Sequence, residues 1–462
     1  MNYCSTRGQV KGLKFTEAVM MGLADDGGLL LPETIPALSA GELKQLSGLS
    51  YPELAFAIIS KFADDIPPDD LKEIIERSYR SFNHSQITPV TKQDDLYILE
   101  LFHGPTLAFK DVALQLLGNL FEYLLEKSGQ KMNIIGATSG DTGSAAIYGV
   151  RGKKNINIFI LHPKGKVSPV QELQMTTVTD ANVFNIAVEG TFDDAQAIVK
   201  EIFGDLDFKT KYALGAVNSI NWARVLAQVV YYFYAWFQVK DESNASCFDV
   251  SVPTGNFGDI FAGYVAKKMG LPIHRLILAT NSNNILSRFI NQGDYSIADV
   301  HHSLSPSMDI QIASNFERYL YYLLDEQADQ VVAMMNQFNR DKKMIFTPDQ
   351  IEKVQREFAA LSINDQETLD TIRQFHTQTG YTLDPHTAVG VMVGKRIARP
   401  DLPLVCLATA HPAKFGDAVT NAIGISPKLP PSLADLSSRE RKLITLPAET
   451  EQIKKYLSAN AT

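Results

Sequence analysis

The stretch KMNIIGATSGDTGSAAIYGV, residues 131–150, decides the fold, because it combines a short apolar strand, a turn of small residues and a helix start. The stretch FDVSVPTGNFGDIFAGYVAKKMG, residues 248–270, repeats this unit. Apolar runs at 155–163, 271–280 and 402–412 have the composition of buried strands. Continuous apolar strands that alternate with helices are typical of a parallel sheet, so the sequence predicts an α/β fold.

Four segments are expected along the chain. Residues 1–90 carry helical periodicities and are predicted to be mostly helical. Residues 91–245 and 246–425 are predicted to form two α/β lobes, the second with a helical insert at about 313–380. Residues 426–462 begin with three prolines in eight residues and are predicted to form a C-terminal strap.

Composition excludes several classes of protein. The 462 residues are 45% hydrophobic and 21% charged, which is a globular composition rather than a disordered one. The net charge of −9 disfavours general nucleic-acid binding. The three cysteines, at positions 4, 247 and 406, show no CxxC spacing, so neither a disulfide framework nor a metal site is expected.

The sequence also predicts where the protein works. No run of about 18 apolar residues occurs, and the aromatic run at 229–237 is predicted to be a buried helix rather than a membrane span. The first twelve residues lack the apolar region of a secretory signal. We therefore expect a cytoplasmic protein without a membrane partner.

Lys110 is the first candidate for chemistry. It lies in HGPTLAFKDVALQLLGNLFEYLL, residues 103–125, where apolar residues recur with helical spacing after Lys110. The spacing puts Lys110 and Asp111 at a helix start, where the helix dipole disfavours a cation. A lysine held there beside Phe109 is suited to act as a nucleophile; the alternative is a solvated lysine in a first turn.

Two turns of small residues could bind anions. In ATSGDTGSAA, residues 137–146, backbone N–H groups and the hydroxyls of Ser139 and Thr142 could bind a carboxylate or phosphate. In VPTGNFGDIFAG, residues 252–263, the turn forms a second candidate cradle. Either could also be a plain turn that needs glycine. Dinucleotide binding is disfavoured because the GxGxxG pattern is absent.

Two further stretches offer polar groups. In VNSINWARVLAQ, residues 217–228, Asn218, Ser219 and Arg224 could converge on an anion, although a solvent-facing arginine is the simpler alternative. The apolar run at 402–412 delivers Thr409 and His411 at its carboxyl end, where ligands bind in parallel sheets. A hydroxyl satisfied by its own turn is the alternative there.

Together these stretches resemble the threonine synthase family, in particular its branch with a long N-terminal segment. The resemblance covers nearly the whole chain and includes STRG (5–8), SPSMDIQIASNFER (305–318) and DPHTAVG (384–390), in the family's order. It implies a fold type II enzyme that uses pyridoxal 5'-phosphate (PLP), with two α/β lobes and the cofactor between them.

The resemblance also implies roles for single residues. Lys110 matches the lysine that forms the Schiff base with the cofactor, and Thr409 matches the hydroxyl that faces its pyridine nitrogen. The loop that holds the cofactor phosphate is matched by Gly255, Asn256, Phe257, Gly258 and Asp259. The loop that meets the substrate carboxylate and the cofactor's 3-hydroxyl side is matched by Ser139, Asp141 and Thr142. The substrate phosphate site is matched by Asn218, Ser219 and Arg224.

The implied reaction converts O-phospho-L-homoserine and water into L-threonine and phosphate. One alternative is a related PLP-dependent phospholyase that releases 2-oxobutyrate, ammonia and phosphate. Another is a non-catalytic relative that only binds ligands, but the lysine and the GNFGD loop are both present.

Overall fold

The computed structural model describes residues 1–461. Its helices are α1 (Phe15–Met21), α2 (Ala40–Leu46), α3 (Tyr51–Ile59), α4 (Pro68–Tyr79), α5 (Lys110–Ser128), α6 (Asp141–Val150), α7 (Pro169–Thr176), α8 (Phe192–Gly204), α9 (Leu206–Lys211), α10 (Trp222–Ser243), α11 (Gly258–Lys268), α12 (Ile285–Gln292), α13 (Phe316–Leu323), α14 (Ala328–Asp341), α15 (Pro348–Glu357), α16 (Asp365–Thr379), α17 (Pro385–Ile397), α18 (Gly416–Ile423), α19 (Pro431–Ala434) and α20 (Thr450–Asn460). Its strands are β1 (Tyr3–Ser5), β2 (Leu30–Pro32), β3 (Val90–Gln93), β4 (Leu96–Glu100), β5 (Met132–Ala137), β6 (Ile156–Pro163), β7 (Val183–Glu189), β8 (Leu214–Gly215), β9 (Phe248–Pro253), β10 (Ile273–Thr280), β11 (Asp294–Ser296), β12 (Lys343–Ile345), β13 (Phe358–Ser362), β14 (Leu404–Ala408) and β15 (Ile444–Pro447).

The chain forms two compact units, each built from three separate segments. The larger unit comprises Met1–Ile75, Asn83–His103 and Ser219–Pro427, and the smaller unit comprises Glu76–Phe82, Gly104–Asn218 and the chain from Lys428 onward. The boundaries predicted from the sequence describe contiguous segments and stay predictions.

The larger unit is organised around a six-stranded sheet in the order β13-β10-β9-β14-β4-β3. Strands β13, β10, β9, β14 and β4 run parallel, and β3 pairs antiparallel with β4 at one edge. The carboxyl ends of β9 and β14 lead directly into the candidate loops that begin at Thr254 and Thr409. The N-terminal stretch adds α1 to α4 and the small antiparallel pair β1–β2, in agreement with the predicted helical character.

The smaller unit contains a fully parallel five-stranded sheet in the order β15-β7-β6-β5-β8. Its core joins Ile135, Phe159 and Ile186 of the sheet to Ile198 of α8 and Leu457 of α20. The carboxyl end of β5 opens into the loop that carries Ser139. The predicted parallel α/β architecture is therefore confirmed, with one such sheet in each unit and a single antiparallel edge strand, β3, in the larger one.

The aromatic run at 229–237 lies inside α10, as predicted. Most residues of this 22-residue helix are buried within the protein. Among residues 1–461, no helix has both the length and the apolarity that a membrane crossing needs.

Candidate active site

Lys110 is the first residue of α5 in the smaller unit, as the helical spacing predicted. The residue is 9% exposed, and its Nζ lies 3.9 Å from Oδ2 of Asp141 and 4.8 Å from the centroid of the Phe109 ring. The Asp141 carboxylate is only 5% exposed. A buried carboxylate beside the ammonium offsets the unfavourable field that the positive end of α5 exerts on a cation.

A close crossing of α5 and α6 positions this pair. A Cβ on Gly118 would lie 1.9 Å from the carbonyl oxygen of Gly149, and a Cβ on Gly149 would lie 2.6 Å from the carbonyl oxygen of Leu114. Only glycine tolerates such an approach of two backbones. Because the helices lie so close, Lys110 and Asp141, which open α5 and α6, can face each other.

Gln171 on α7 holds the Asp141 carboxylate from the other side. Its Nε2 donates to Oδ1 of Asp141 at 2.6 Å, and the Gln171 side chain is 5% exposed. A Cβ on Gly140 would lie 2.4 Å from Oε1 of Gln171, so glycine at 140 makes room for this bond. Sequence reasoning missed Gln171, because it lies thirty residues from Asp141 and no local pattern marks it.

The HGPT turn before α5 is fixed by Asp111. The backbone N–H and the Oγ1 hydroxyl of Thr106 donate to the Asp111 carboxylate at 2.8 and 2.7 Å. Gln174, also on α7, donates from Nε2 to the carbonyl of Thr106 at 3.0 Å. A Cβ on Gly104 would lie 2.4 Å from the Asp111 side chain. The turn therefore anchors the start of α5 and, with it, Lys110.

The loop between β5 and α6 is organised by Thr138. Its Oγ1 accepts from the backbone N–H groups of Gly140 and Gly143 at 3.1 and 2.9 Å. Ser139 is exposed and Thr142 half-buried. Thr142 also lines a small pocket with Thr138 and Val217, next to the half-buried Asn218. The structure thus brings the predicted residues 139, 141, 142 and 218 to one end of the sheet in this unit.

In the larger unit, the loop from Thr254 to Phe257 has the geometry of an anion cradle. Phe257 adopts a left-handed backbone with φ of 62°, and its ring is buried beside Phe316, Tyr319 and Phe358. A Cβ on Gly255 would lie 2.6 Å from the carbonyl oxygen of Ser307. The buried ring holds Phe257 in this left-handed conformation just before α11. The first backbone N–H groups of α11 have no partners within the helix, so they are suited to bind a phosphate.

Asp259, the last residue of this loop motif, points its side chain elsewhere. Oδ1 accepts from the hydroxyls of Tyr231 and Tyr232 at 2.5 and 2.9 Å. Burial raises the pKa of the Asp259 carboxyl to about 6, although both tyrosine hydroxyls act in the opposite direction. The carboxylate is therefore engaged by α10, and what Asp259 offers to an anion is its backbone N–H in the first turn of α11.

Arg224 is a buried cation on α10. It is 5% exposed, and among residues 1–461 its Nη1 has no hydrogen-bond partner. Burial alone lowers the pKa of Arg224, to about 10. A buried guanidinium donor without a partner is costly unless an anion binds it. The observation fits a ligand phosphate and contradicts the solvent-facing alternative that the sequence allowed.

Ser219 lies just before α10 in the same unit. Its Oγ lies 2.7 Å from Oγ of Ser314, and its carbonyl accepts from Nδ2 of Asn315 at 3.1 Å. The same Asn315 side chain also donates to the carbonyl of Asn256 at 3.2 Å. The structure therefore brings the predicted residues 219 and 256 together through one shared neighbour.

Thr409 and His411 follow the carboxyl end of β14. Thr409 is 6% exposed, and its backbone N–H donates to Oγ1 of Thr387 at 3.3 Å. Nδ1 of His411 accepts from the backbone N–H of Ala413 at 3.1 Å. Burial and the neighbouring His103 lower the pKa of His411 to about 4, so this ring is neutral near pH 7 and caps a turn.

Three family models match consecutive parts of the chain. The model for pyridoxal-phosphate dependent enzymes matches residues 83–403, which contain the candidate residues of both units except Thr409 and His411. These matches and the parallel sheets define a PLP-dependent enzyme of fold type II, and PLP is its cofactor. The models for the threonine synthase N terminus and C-terminal part match residues 2–79 and 387–457.

The chain belongs to the threonine synthase family. It is 47% identical to threonine synthase from Pseudomonas aeruginosa over 462 residues, which cover 99% of this chain and 98% of the relative. The PLP-bound crystal structure of threonine synthase from Brucella melitensis superposes with a TM-score of 0.97 at 45% identity, covering 100% of this chain and 99% of that one. The human protein named threonine synthase-like 2 is 39% identical over 96% of this chain and 93% of its own length. These similarities favour a synthase over the phospholyase alternative.

The residues present fit the cofactor. A phosphate needs a backbone cradle, and the loop at 254–258 provides one, with Gly255 packed so closely against the Ser307 carbonyl that no side chain fits there. A lysine amine is needed for covalent attachment, and Lys110 is held in place by the Asp141 carboxylate and the HGPT turn. The chemistry of these donors matches PLP.

Proposed function

We propose that the protein converts O-phospho-L-homoserine and water into L-threonine and phosphate. Arg224 is the observation that carries this proposal, because it is a buried guanidinium with a donor that lacks a protein partner. The loop at 254–258 already suits the cofactor phosphate. Arg224 therefore provides a second anion-binding site, which implies that the substrate carries a phosphate of its own.

The cofactor is assigned to four elements of the chain. Lys110 attaches it covalently, and Gly255, Asn256, Phe257, Gly258 and Asp259 bind its phosphate through backbone N–H groups. The Thr409 hydroxyl would donate to the pyridine nitrogen, and Asp141 is assigned to the 3-hydroxyl side. When bound, PLP stabilises the negative charge that develops at the substrate carbon from which a proton is removed. A neutral hydroxyl at position 409 leaves the ring nitrogen largely unprotonated.

Substrate orientation is assigned to two sets of residues. Ser139, Thr142 and the N–H groups around them bind the α-carboxylate, at the end of β5. Asn218, Ser219 and Arg224 bind the phosphate. Binding both ends of a four-carbon amino acid fixes its Cα and Cβ hydrogens relative to the catalytic amine, which is the orientation that proton transfer needs.

We assign proton transfer to Lys110. When Nζ is not attached to the cofactor, it is a free amine that removes the α-proton of the bound substrate and then moves protons so that a β-proton can also leave. The Asp141 carboxylate, 3.9 Å away, stabilises Nζ whenever it holds a proton. The phosphate then departs from the γ-carbon, which takes up a proton and becomes the methyl group. The hydroxyl of water adds at the β-carbon, the remaining proton of that water goes to the departed phosphate, and Nζ returns a proton to the α-carbon.

The base for water addition is assigned to the expelled phosphate. Nδ1 of His411 already accepts a backbone hydrogen bond, so that nitrogen is not available to take a proton from water. A phosphate that is still bound by Arg224 remains near the γ-carbon that it has left, and it is a strong proton acceptor. The cytoplasmic location expected from the sequence stays a prediction.

A product assay tests this function. The PLP-loaded protein is mixed with O-phospho-L-homoserine, and threonine, 2-oxobutyrate and phosphate are quantified together. The proposal predicts one threonine for each phosphate. Phosphate accompanied by 2-oxobutyrate would instead support the phospholyase alternative, and absence of phosphate release would show that the substrate is wrong.

A further inference from the structure

The segment from Ser314 to Arg318 spans the start of α13 in the larger unit. It belongs to the stretch SPSMDIQIASNFER that contributes to the family resemblance. Asn315 and Arg318 are both fully buried in the larger unit. Two fully buried polar side chains three residues apart need many hydrogen-bond partners, and those partners indicate what the segment does.

Asn315 bonds to both predicted anion-binding segments. Its backbone N–H donates to the carbonyl of Asn256 at 3.0 Å, and its Nδ2 donates to the same carbonyl at 3.2 Å. Nδ2 also donates to the carbonyl of Ser219 at 3.1 Å. One amide group therefore connects the cofactor phosphate loop to the segment assigned to the substrate phosphate.

Two neighbouring residues show that this connection is built into the site. Ser314 adds a second contact to Ser219, with 2.7 Å between the two Oγ atoms. On the loop side, a Cβ on Gly258 would lie 3.1 Å from Nδ2 of Asn315. Glycine at 258 therefore leaves the room that the amide group needs beside the first turn of α11.

Arg318 fixes the orientation of the Asn315 amide. Its Nη1 donates to Oδ1 of Asn315 at 2.5 Å. Because a guanidinium only donates, the amide oxygen must face Arg318 and the amide nitrogen must face the two carbonyls. The guanidinium also donates from Nη2 to the carbonyl of Ile220 at 2.5 Å and from Nε to that of Leu30 at 3.0 Å.

The burial of Arg318 argues that this geometry has a use beyond folding. Its hydrogen bonds go to uncharged carbonyl and amide oxygens, and burial lowers the pKa of Arg318 to about 9. Burying a charge against uncharged acceptors is costly compared with an apolar side chain of similar volume. The neighbouring Glu317 is itself engaged by Arg7, whose Nε and Nη2 donate to its two carboxylate oxygens at 3.0 Å each.

We propose that Asn315, oriented by Arg318, is a positioning residue that fixes the substrate phosphate segment at Ser219 relative to the cofactor phosphate loop at Asn256. The separation between the two phosphates then sets the length of substrate that fits. The inference rests on the proposed function, since it takes the roles of both segments from there.

The variant Asn315→Asp tests the proposal. The change is isosteric, removes both Nδ2 donors, and leaves an oxygen that faces two carbonyls, while the contact with Arg318 becomes a charged pair. We expect KM for O-phospho-L-homoserine and Ki for inorganic phosphate to rise about tenfold or more, and the Kd for PLP to rise as well. Active sites are counted by the absorbance of bound PLP, so that loss of folded protein does not alter these constants.

Asn182→Asp is the matched control. Its Nδ2 also donates to backbone carbonyls, those of Val150 and Ile156 at 3.0 and 2.8 Å, and its Oδ1 accepts from a backbone N–H. It lies at the amino end of the strands in the smaller unit, away from the candidate residues of that unit. We expect its KM, Ki and Kd to match the wild-type values.

Ser314→Ala separates the two contacts and remains informative where Asn315→Asp does not fold. It removes the hydroxyl that touches Ser219 and leaves every bond to Asn256 in place. We expect a rise of about threefold in KM and in Ki for phosphate, with an unchanged Kd for PLP.

Wild-type values of KM, Ki and Kd in both Asn315→Asp and Ser314→Ala would overturn the proposal. A wild-type enzyme that does not consume O-phospho-L-homoserine would instead overturn the proposed function, and the Kd for PLP would still report on the Asn256 contact.

Discussion

Nζ of Lys110 lies 3.9 Å from Oδ2 of Asp141, and the two residues are the first residues of α5 and α6. Each helix start carries a positive end of a dipole, which favours the carboxylate and disfavours the ammonium. The pairing of the two groups places one charge of each sign at the neighbouring starts of the two helices. The Lys110 amine is thus held in a defined position by the Asp141 carboxylate, which the start of α6 stabilises.

Lys110→Ala tests the covalent attachment of the cofactor. We expect the visible absorption band of the PLP-bound protein to disappear and turnover to be lost, because no amine replaces Nζ. Lys127→Ala, at the exposed end of the same helix, serves as the control and should keep both properties. An unaltered spectrum in Lys110→Ala would contradict the assignment.

Gln171→Met tests the bond that supports Asp141. The change keeps the length of the side chain but removes the donor 2.6 Å from Oδ1 of Asp141. A hydrogen bond to a charged group contributes about 1.5–3 kcal/mol, so we expect kcat to fall about tenfold or more with little change in KM. Steady-state kinetics decide this, with Gln238→Met in the larger unit as control. Equal effects of the two variants would mean that Gln171 acts on folding rather than on the catalytic pair.

Arg224→Met tests the substrate phosphate site. We expect KM for O-phospho-L-homoserine to rise about a hundredfold, while the Kd for PLP stays near its wild-type value. The thermal unfolding midpoint should not fall, because an unpaired buried charge is replaced by an apolar side chain. Arg356→Met, which removes an exposed arginine paired with Glu352, is the control. Loss of PLP with an unchanged KM would place Arg224 at the other phosphate.

Asp259 predicts a pH dependence of stability. Its folded-state pKa of about 6 lies above the value of 3.8 for an unperturbed carboxyl. The folded state therefore binds the proton more tightly, so this contribution is complete below about pH 4 and is lost as the pH rises to about 6. The loss amounts to about 3 kcal/mol.

Denaturant unfolding of the cofactor-free protein and of Asp259→Asn measures this loss of stability. The stability of the variant relative to wild type should rise between pH 4 and 6 and stay level above; a constant difference would show that Asp259 does not titrate in this range.

Features encoded by local pattern could be predicted from the sequence. The strand–turn–helix units around 131–150 and 248–270 place an apolar strand, a glycine turn and a helix within about twenty residues, and the structure has β5–α6 and β9–α11 there. The start of α5 at Lys110 follows from the spacing of apolar residues after it. Such features depend on residues that are close in sequence, so they can be predicted from one amino-acid sequence.

Features that depend on distant partners could not be predicted. Gln171 reaches Asp141 across thirty residues, and the Asp259 carboxylate is bound by tyrosines on α10. The short strand β15 pairs with β7 and places Ile444 in register with Ile186. The two strands lie far apart in the sequence, so only the fold brings them together. A buried polar side chain and a short edge strand have no periodicity of their own, so their partners appear only in three dimensions.

Addition of a water oxygen at the β-carbon is tested by one turnover in water labelled with oxygen-18. The PLP-loaded protein is mixed with O-phospho-L-homoserine, and the products are analysed by mass spectrometry. Phosphate release from the γ-carbon followed by addition of water at the β-carbon predicts one labelled oxygen in threonine and none in the phosphate. Labelled phosphate together with unlabelled homoserine would show simple hydrolysis of the phosphate ester and would contradict the proposed reaction.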